Sequence, residues 1–271
     1  MIGPFIAFLL LVPLAWIVIR FLEWKQVYKP TVGISATPSD IQLAFEDVAF
    51  VSEDGNPLHG WWLEHPSARG AIVYCHGNGG NLSDRLEVVS YLHRLELNVF
   101  AFDYRGYGRS RGIPTEKGTY CDARAAFEVV RARYGNVDQP PVILFGRSLG
   151  VAIALQLALD KEVQGVIVEG GFTSIRAMAR QRFPALPAHR FCTLQYNSAK
   201  TIGKLQVPVM VAHSVDDEVI PVIHGRNLYE AANEPKRFVE LRGTHDQIGW
   251  STTSGYWDAT KVFVDEHLPA T

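Results

Sequence analysis

The chain has few cysteines. Cys75, Cys121 and Cys192 are odd in number and widely spaced, which argues against a disulfide framework or a zinc site and favours buried free thiols. It also lacks a strong charge of either sign: the net charge is −2 over 271 residues, so no electrostatic footprint for nucleic acid is present. Internal repeats and low-complexity tracts are missing too. What remains, 47% hydrophobic and 20% charged residues, is ordinary globular composition with material for one sizeable core.

Charge is absent locally as well. From Ile2 to Ile19 there are 18 residues without one, and Arg20, Lys25 and Lys29 follow. At about 1.5 Å per residue such a run approaches the thickness of a bilayer core and predicts a transmembrane helix. Trp16 and Trp24 would sit near the interface, and Pro4 and Pro13 are tolerable in such a helix. A signal peptide would need a basic region before the run and a small-residue cleavage site after it, and neither is present; a buried helix is the other competitor. Cations only after the span place the rest of the chain on the cytoplasmic side by the positive-inside rule. The expected organisation is a membrane anchor over 1–24, a linker over 25–40 that is rich in Pro, Gly, Ser and Thr, and a catalytic domain over 41–271.

Two strand-like pieces, Leu43 to Val51 and Leu58 to Leu63, flank the turn signal SEDGNP and predict a hairpin. From Ala71 onward, short β-branched or aromatic runs (AIVYC, NVFAFDY, VILF, GVIVEG, VPVMVAH, KRFVEL) alternate with stretches of helical periodicity such as CDARAAFEVVRARYG. That alternation predicts an α/β fold, a mostly parallel sheet with helices on both faces. The interval 172–205 breaks it. It holds no strand-like run, carries FPALPAHRF, and is a candidate lid. Gly255 to His267 reads as a closing helix.

Four polar motifs fall just after predicted strands, where sites form in parallel sheets. Gly146, Ser148 and Gly150 match G-x-S-x-G between a strand and a helix. In that context a serine is displayed on a tight turn, and the N–H of Leu149 opens a helix whose positive end favours an oxyanion. The loop His76-Gly-Asn78-Gly-Gly-Asn81 lacks the Lys-Ser or Lys-Thr of a P-loop and has no dinucleotide-binding spacing, so its N–H groups, that of Asn78 foremost, suit an oxyanion hole instead. HSVDDEVIP (His213 to Pro221) supplies an acid, and Gly243-Thr-His245 supplies a base. A serine hydroxyl is a poor nucleophile until an imidazole takes its proton, and the imidazole needs a carboxylate to fix its tautomer. Ser148, Asp217 and His245 provide those three types in that chain order. His76, His213 and Asp103 read as loop braces. Arg147 reads as a solvent-exposed or salt-bridged neighbour of the serine, with contact to an anionic substrate group as the alternative.

HGNGGN, DYRGYGRS, GRSLG, EGGFTS, HSVDDEVIP and GTH together resemble the α/β-hydrolase superfamily, and within it the membrane-anchored serine esterases and thioesterases. The resemblance runs from about Phe45 to Phe263. It implies an α/β-hydrolase fold with an eight-stranded type of sheet and Ser148 as nucleophile, with Asp217 as acid, His245 as base, and Asn78 and Leu149 as oxyanion donors. It implies no cofactor or metal, and a small-molecule or lipid acyl ester or thioester as substrate. Two departures stand out: His213-Ser214 where the family usually has His-Gly, and two adjacent acids, Asp216 and Asp217, where it often has one. A serine aminopeptidase or acyltransferase on the same triad is the alternative, and a catalytically silent scaffold is the reading from another class.

Overall fold

The computed structural model describes residues 2–135, 141–247 and 249–268; the side chains of 2–12 and of 250 fall outside that description. Eight strands form one sheet: β1 (Glu46–Val51), β2 (Pro57–Leu63), β3 (Ala71–Cys75), β4 (Asn98–Asp103), β5 (Val142–Arg147), β6 (Gly165–Glu169), β7 (Val209–Ser214) and β8 (Lys236–Leu241). Their spatial order is β8-β7-β6-β5-β3-β4-β2-β1. The hairpin β1–β2 and the pair β2–β4 are antiparallel, and every other pairing is parallel. The inner strands β3, β5, β6 and β7 are buried along their whole length, which is why they read as unbroken apolar runs. The edge strand β8 is half-exposed and carries Lys236, Arg237 and Glu240, charges that blunt edge-to-edge pairing.

Alternate residues of the strands feed two cores. Ala71, Val73, Cys75, Val142 and Leu144 pack against helices α3 (Glu116–Arg133) and α4 (Leu149–Asp160). Ile72, Tyr74, Ile143 and Phe145 pack against α2 (Leu86–His93) and the closing helix α8 (Tyr256–His267). Most of α4 is buried, as its apolar character on all sides requires. Helices α5 (Ile175–Arg182), α6 (Ser198–Ile202) and α7 (Ile223–Ala231) complete the fold.

Two expectations change. Residues 2–27 form one helix, α1 (Ile2–Val27), yet among the described residues no helix is long and apolar enough to cross a membrane. Its described side chains start at Pro13 and include Arg20, Glu23 and Lys25. Its last turn is buried against the body at Val27. The expected linker is not free chain either. Lys29–Pro30 pairs in parallel with Gly79–Gly80, and Tyr28 is buried with its hydroxyl 2.8 Å from that of Tyr196. The interval 172–205 lies outside the sheet, as α5, a 3-10 turn at Pro187–Arg190 and α6.

Candidate active site

Ser148 stands on the turn from β5 into α4 at φ 53°, ψ −117°, a region a non-glycine residue occupies only under strain of about 1–3 kcal/mol. Its surroundings leave no other arrangement. A Cβ on Gly150 would lie 1.9 Å from the Cys75 carbonyl oxygen, and one on Gly146 would lie 2.6 Å from that of Gly150. The Ser148 N–H donates to the Glu169 carbonyl at 2.9 Å, which ties the turn to the end of β6. Glycine on both sides is thus a requirement of the close approach of β3, β5 and α4.

Asp217 follows β7 and His245 follows β8. The fold brings both to Ser148: His245 Nδ1 lies 2.7 Å from Asp217 Oδ2, and His245 Nε2 lies 3.0 Å from Ser148 Oγ. With Nδ1–H donating to the carboxylate, Nε2 carries the lone pair that accepts the serine O–H. Burial by itself raises the Asp217 carboxyl, but the hydrogen bond and charge of His245 and the N–H groups of Ile220 and Val219 outweigh it and hold it below its ordinary value. Asp216 points elsewhere, accepting from the Gly243 N–H at 3.2 Å. Ser214, the departure from the usual His-Gly, donates its hydroxyl to the Gly243 carbonyl at 2.5 Å and accepts from the Asp216 N–H at 3.1 Å. It therefore links the acid-bearing loop to the base-bearing one. His213 is buried, with Nε2–H donating to the Ile220 carbonyl at 2.7 Å, so it shapes the loop that presents Asp217.

Arg147 is buried beside the serine. It donates to the main-chain carbonyls of His245 and Gln247, both at 2.8 Å, and faces Glu169 at 3.3 Å. Its fork holds the His245 loop. Glu169 is held in turn by the Tyr256 hydroxyl at 2.7 Å. The Cys75 thiol beneath the turn is fully buried, and burial pushes it up to about 12, far from nucleophilic use at neutral pH.

The N–H of Leu149 opens α4, in the first turn where no intrahelical carbonyl reaches it. The loop carrying Asn78 runs alongside: a Cβ on Gly77 would lie 3.4 Å from Ser148 Cβ. His76 anchors its base, tilted against Tyr104 and edge-on to Tyr107, with Asp103 at 3.4 Å.

The chain after α1 belongs to this site, which the sequence reading missed. The Lys29 N–H and the Tyr107 hydroxyl donate to the Asn78 carbonyl at 3.1 and 2.9 Å, and the Asn78 amide donates to the Val27 carbonyl at 3.0 Å. The Thr31 N–H donates to the Gly80 carbonyl at 3.1 Å, and Asn81 Nδ2 donates to the carbonyls of Thr31 and Gly33 at 3.1 and 2.5 Å. Thr31 even lines the cleft. No local signal marks this strap, because its partners lie about fifty residues downstream.

An open cleft of about 440 Å³ is lined by Thr31, Gly77 to Gly80, Asp84, Arg85, Arg147, Ser148, His245 and Asp246. A smaller hollow lies behind His245 against Arg147, Asp217 and Leu241. Neither is lined by a residue of 172–205, whose α6 packs on α4. Among the described residues, no group of His, Cys, Asp and Glu is placed to hold a metal ion.

Comparison with known proteins agrees with this architecture. Residues 66–200 match a family described as serine aminopeptidase, S33. An esterase of Pyrococcus furiosus superposes with a TM-score of 0.75 at 19% identity, covering 90% of this chain and 98% of its own. A serine hydrolase of Xanthomonas campestris described as lacking a lid gives 0.60 at 22%, covering 84% and 96%. Those two likenesses are of fold. In sequence, an uncharacterized protein of Mycobacterium tuberculosis is 36% identical over 232 residues, 83% of this chain and 82% of its own. The Arabidopsis thaliana protein WAV2, described as containing an α/β-hydrolase domain, is 32% identical over 93% of this chain and 90% of its own. Kinship over nearly the whole length, on a sheet of this strand order, makes the chain a member of the α/β-hydrolase family.

Proposed function

We propose that this protein is a serine hydrolase that cleaves carboxylic ester or thioester bonds through an acyl-Ser148 intermediate. The observation that carries the reading is the continuous relay Ser148 Oγ, His245 Nε2, His245 Nδ1, Asp217 Oδ2, with links of 3.0 and 2.7 Å. In it, His245 takes the serine proton as Oγ attacks the substrate carbonyl carbon, and Asp217 steadies the imidazolium. The N–H groups of Leu149 and Asn78 receive the charge that develops on the carbonyl oxygen. His245 then returns the proton to the departing alcohol or thiol. Water, deprotonated by the same imidazole, attacks the acyl-serine and releases the acid. A silent scaffold has no use for an intact relay on a strained turn.

The cleft lining is glycine-rich and polar, with little apolar surface from which a long acyl chain would gain. We therefore assign small or polar acyl groups, and attachment through α1 puts the enzyme at a membrane surface on the cytoplasmic side. A second reading, an aminopeptidase, is favoured by the matched family's description and by Asp84 and Asp246 in the cleft, which could receive a substrate amine. Parallel turnover of short esters, longer esters and amino-terminal peptide anilides separates these readings.

Labelling with a fluorophosphonate probe tests the chemistry. Wild-type protein should label, and Ser148→Ala and His245→Ala should not. A folded wild type that fails to react would overturn the reading, and undiminished labelling of Ser148→Ala would move the nucleophile elsewhere.

A further inference from the structure

The interval 172–205, which lines neither hollow at the site, has a composition unlike the rest of the chain. Between Gly170 and Val215 there is not one Asp or Glu, so all 28 acids of the chain lie elsewhere, and six cations fall inside it: Arg176, Arg180, Arg182, Arg190, Lys200 and Lys204. All six side chains are exposed, and none makes an ion pair among the described residues, whereas most exposed arginines elsewhere do, such as Arg109, Arg131, Arg133 and Arg242. Apolar side chains stand out among them: Phe183 is 39% exposed, Leu186 60% and Phe191 45%. In water that is a poor arrangement. Clustered cations repel, and the apolar groups between them gain nothing.

The same segment is fastened to α1. Arg20 donates to the Phe191 carbonyl and the Thr193 hydroxyl, while Glu23 accepts from the N–H groups of Thr193 and Leu194. Trp16, Ile17 and Phe21 of α1 are exposed in their turn. Exposed apolar groups ringed by unpaired arginines on a segment clamped to an apolar helix match one surface chemistry: acyl chains below and anionic headgroups above. A protein partner of acidic character would match the cations but would not account for the continuity with α1.

We infer that α5 and the turn to Phe191 form a docking face for an anionic lipid bilayer, which orients the body on the surface that α1 reaches. The inference rests on the membrane-surface half of the proposed function and is independent of the chemistry at Ser148. The inactive Ser148→Ala protein docks as well as wild type.

Flotation of the full chain with vesicles of phosphatidylcholine, alone or mixed with phosphatidylglycerol, is the test. Wild type should partition more strongly onto the mixed vesicles, and added salt should erase the difference. Each cation contributes about fivefold at such a surface. The triple variant Arg180→Gln, Arg182→Gln, Arg190→Gln should therefore lose up to about 100-fold on mixed vesicles and be unchanged on phosphatidylcholine. A control triple away from the face, Arg131→Gln, Arg237→Gln, Lys261→Gln, should bind as wild type. Turnover of a soluble ester and the thermal midpoint, unchanged in both triples, verify folding. Equal partition of wild type onto both vesicles would overturn the docking face, leaving α1 as the whole attachment. So would full retention of binding by the first triple, or an equal loss in the control.

Discussion

At Ser148 the backbone conformation and the chemistry have one cause: the turn is so tight that only hydrogen fits at positions 146 and 150. Gly150→Ala must push a methyl into the Cys75 carbonyl, and we expect a loss of about 3 kcal/mol in urea unfolding together with loss of probe labelling. Of the two adjacent acids, Asp217 alone reaches the imidazole. Asp217→Asn should lower kcat about ten-thousandfold by favouring the wrong tautomer, and Asp216→Asn by tenfold at most; steady-state rates with a short ester decide, and the reverse ranking would refute the assignment. Arg147 Nη2 donates to the carbonyls of His245 and Gln247 while Nε faces Glu169, a span that a single ammonium cannot copy. Arg147→Lys should cut kcat by roughly ten- to a hundredfold with KM nearly constant. Had Arg147 bound substrate instead, KM would rise.

At the scale of elements, the strap from Val27 to Gly33 is the unexpected part. It reaches the loop of Asn78 through the carbonyls and amides of Asn78, Gly80 and Asn81, so on the proposed mechanism the N-terminal segment helps to position the oxyanion donors. Asn81→Ala removes two donors to the strap. It should lower kcat by about tenfold at constant KM, and Tyr107→Phe should lower it less, since one net hydrogen bond is worth about 1 kcal/mol. A rise in KM with kcat preserved would mean that the strap shapes substrate binding instead. The strands were legible because a strand buried on both faces reads as an apolar run, as in AIVYC and VILF. The strap was not, because two residues pairing across fifty leave no periodicity. The course of 172–205 was legible only in part. Prolines and the lack of strand character say where a segment leaves the sheet, not over which face it then folds.

For the whole molecule, pH dependence follows from buried imidazoles. Burial lowers His213 and His224 below their ordinary value. His224 stays neutral while its Nδ1 accepts from Thr173 and its Nε2–H donates to Gln181. A depressed folded-state value means the contribution is present above the unfolded value of about 6.5 and is lost as pH falls below it. The thermal midpoint should therefore drop between about pH 7.5 and about pH 5.5, and drop less in His224→Gln. Asp217, also lowered, keeps its contribution until the pH falls below about 4, so it plays no part in that window. A midpoint that is flat across the window would contradict the buried-neutral assignment.

The sequence by itself determined the sheet, the display of Ser148 and the order in which acid and base follow it. These depend on local requirements, apolar runs for buried strands and glycines for a tight turn, that each residue expresses in its own neighbourhood. Only the tertiary structure decided that a buried Arg147 holds the His245 loop, that the presumed linker pairs with Gly79–Gly80, and that the arginines of 172–205 face outward. Each of those is a contact between residues distant in the chain, and the direction in which a side chain points across such a distance is set by packing, which no single stretch of sequence contains.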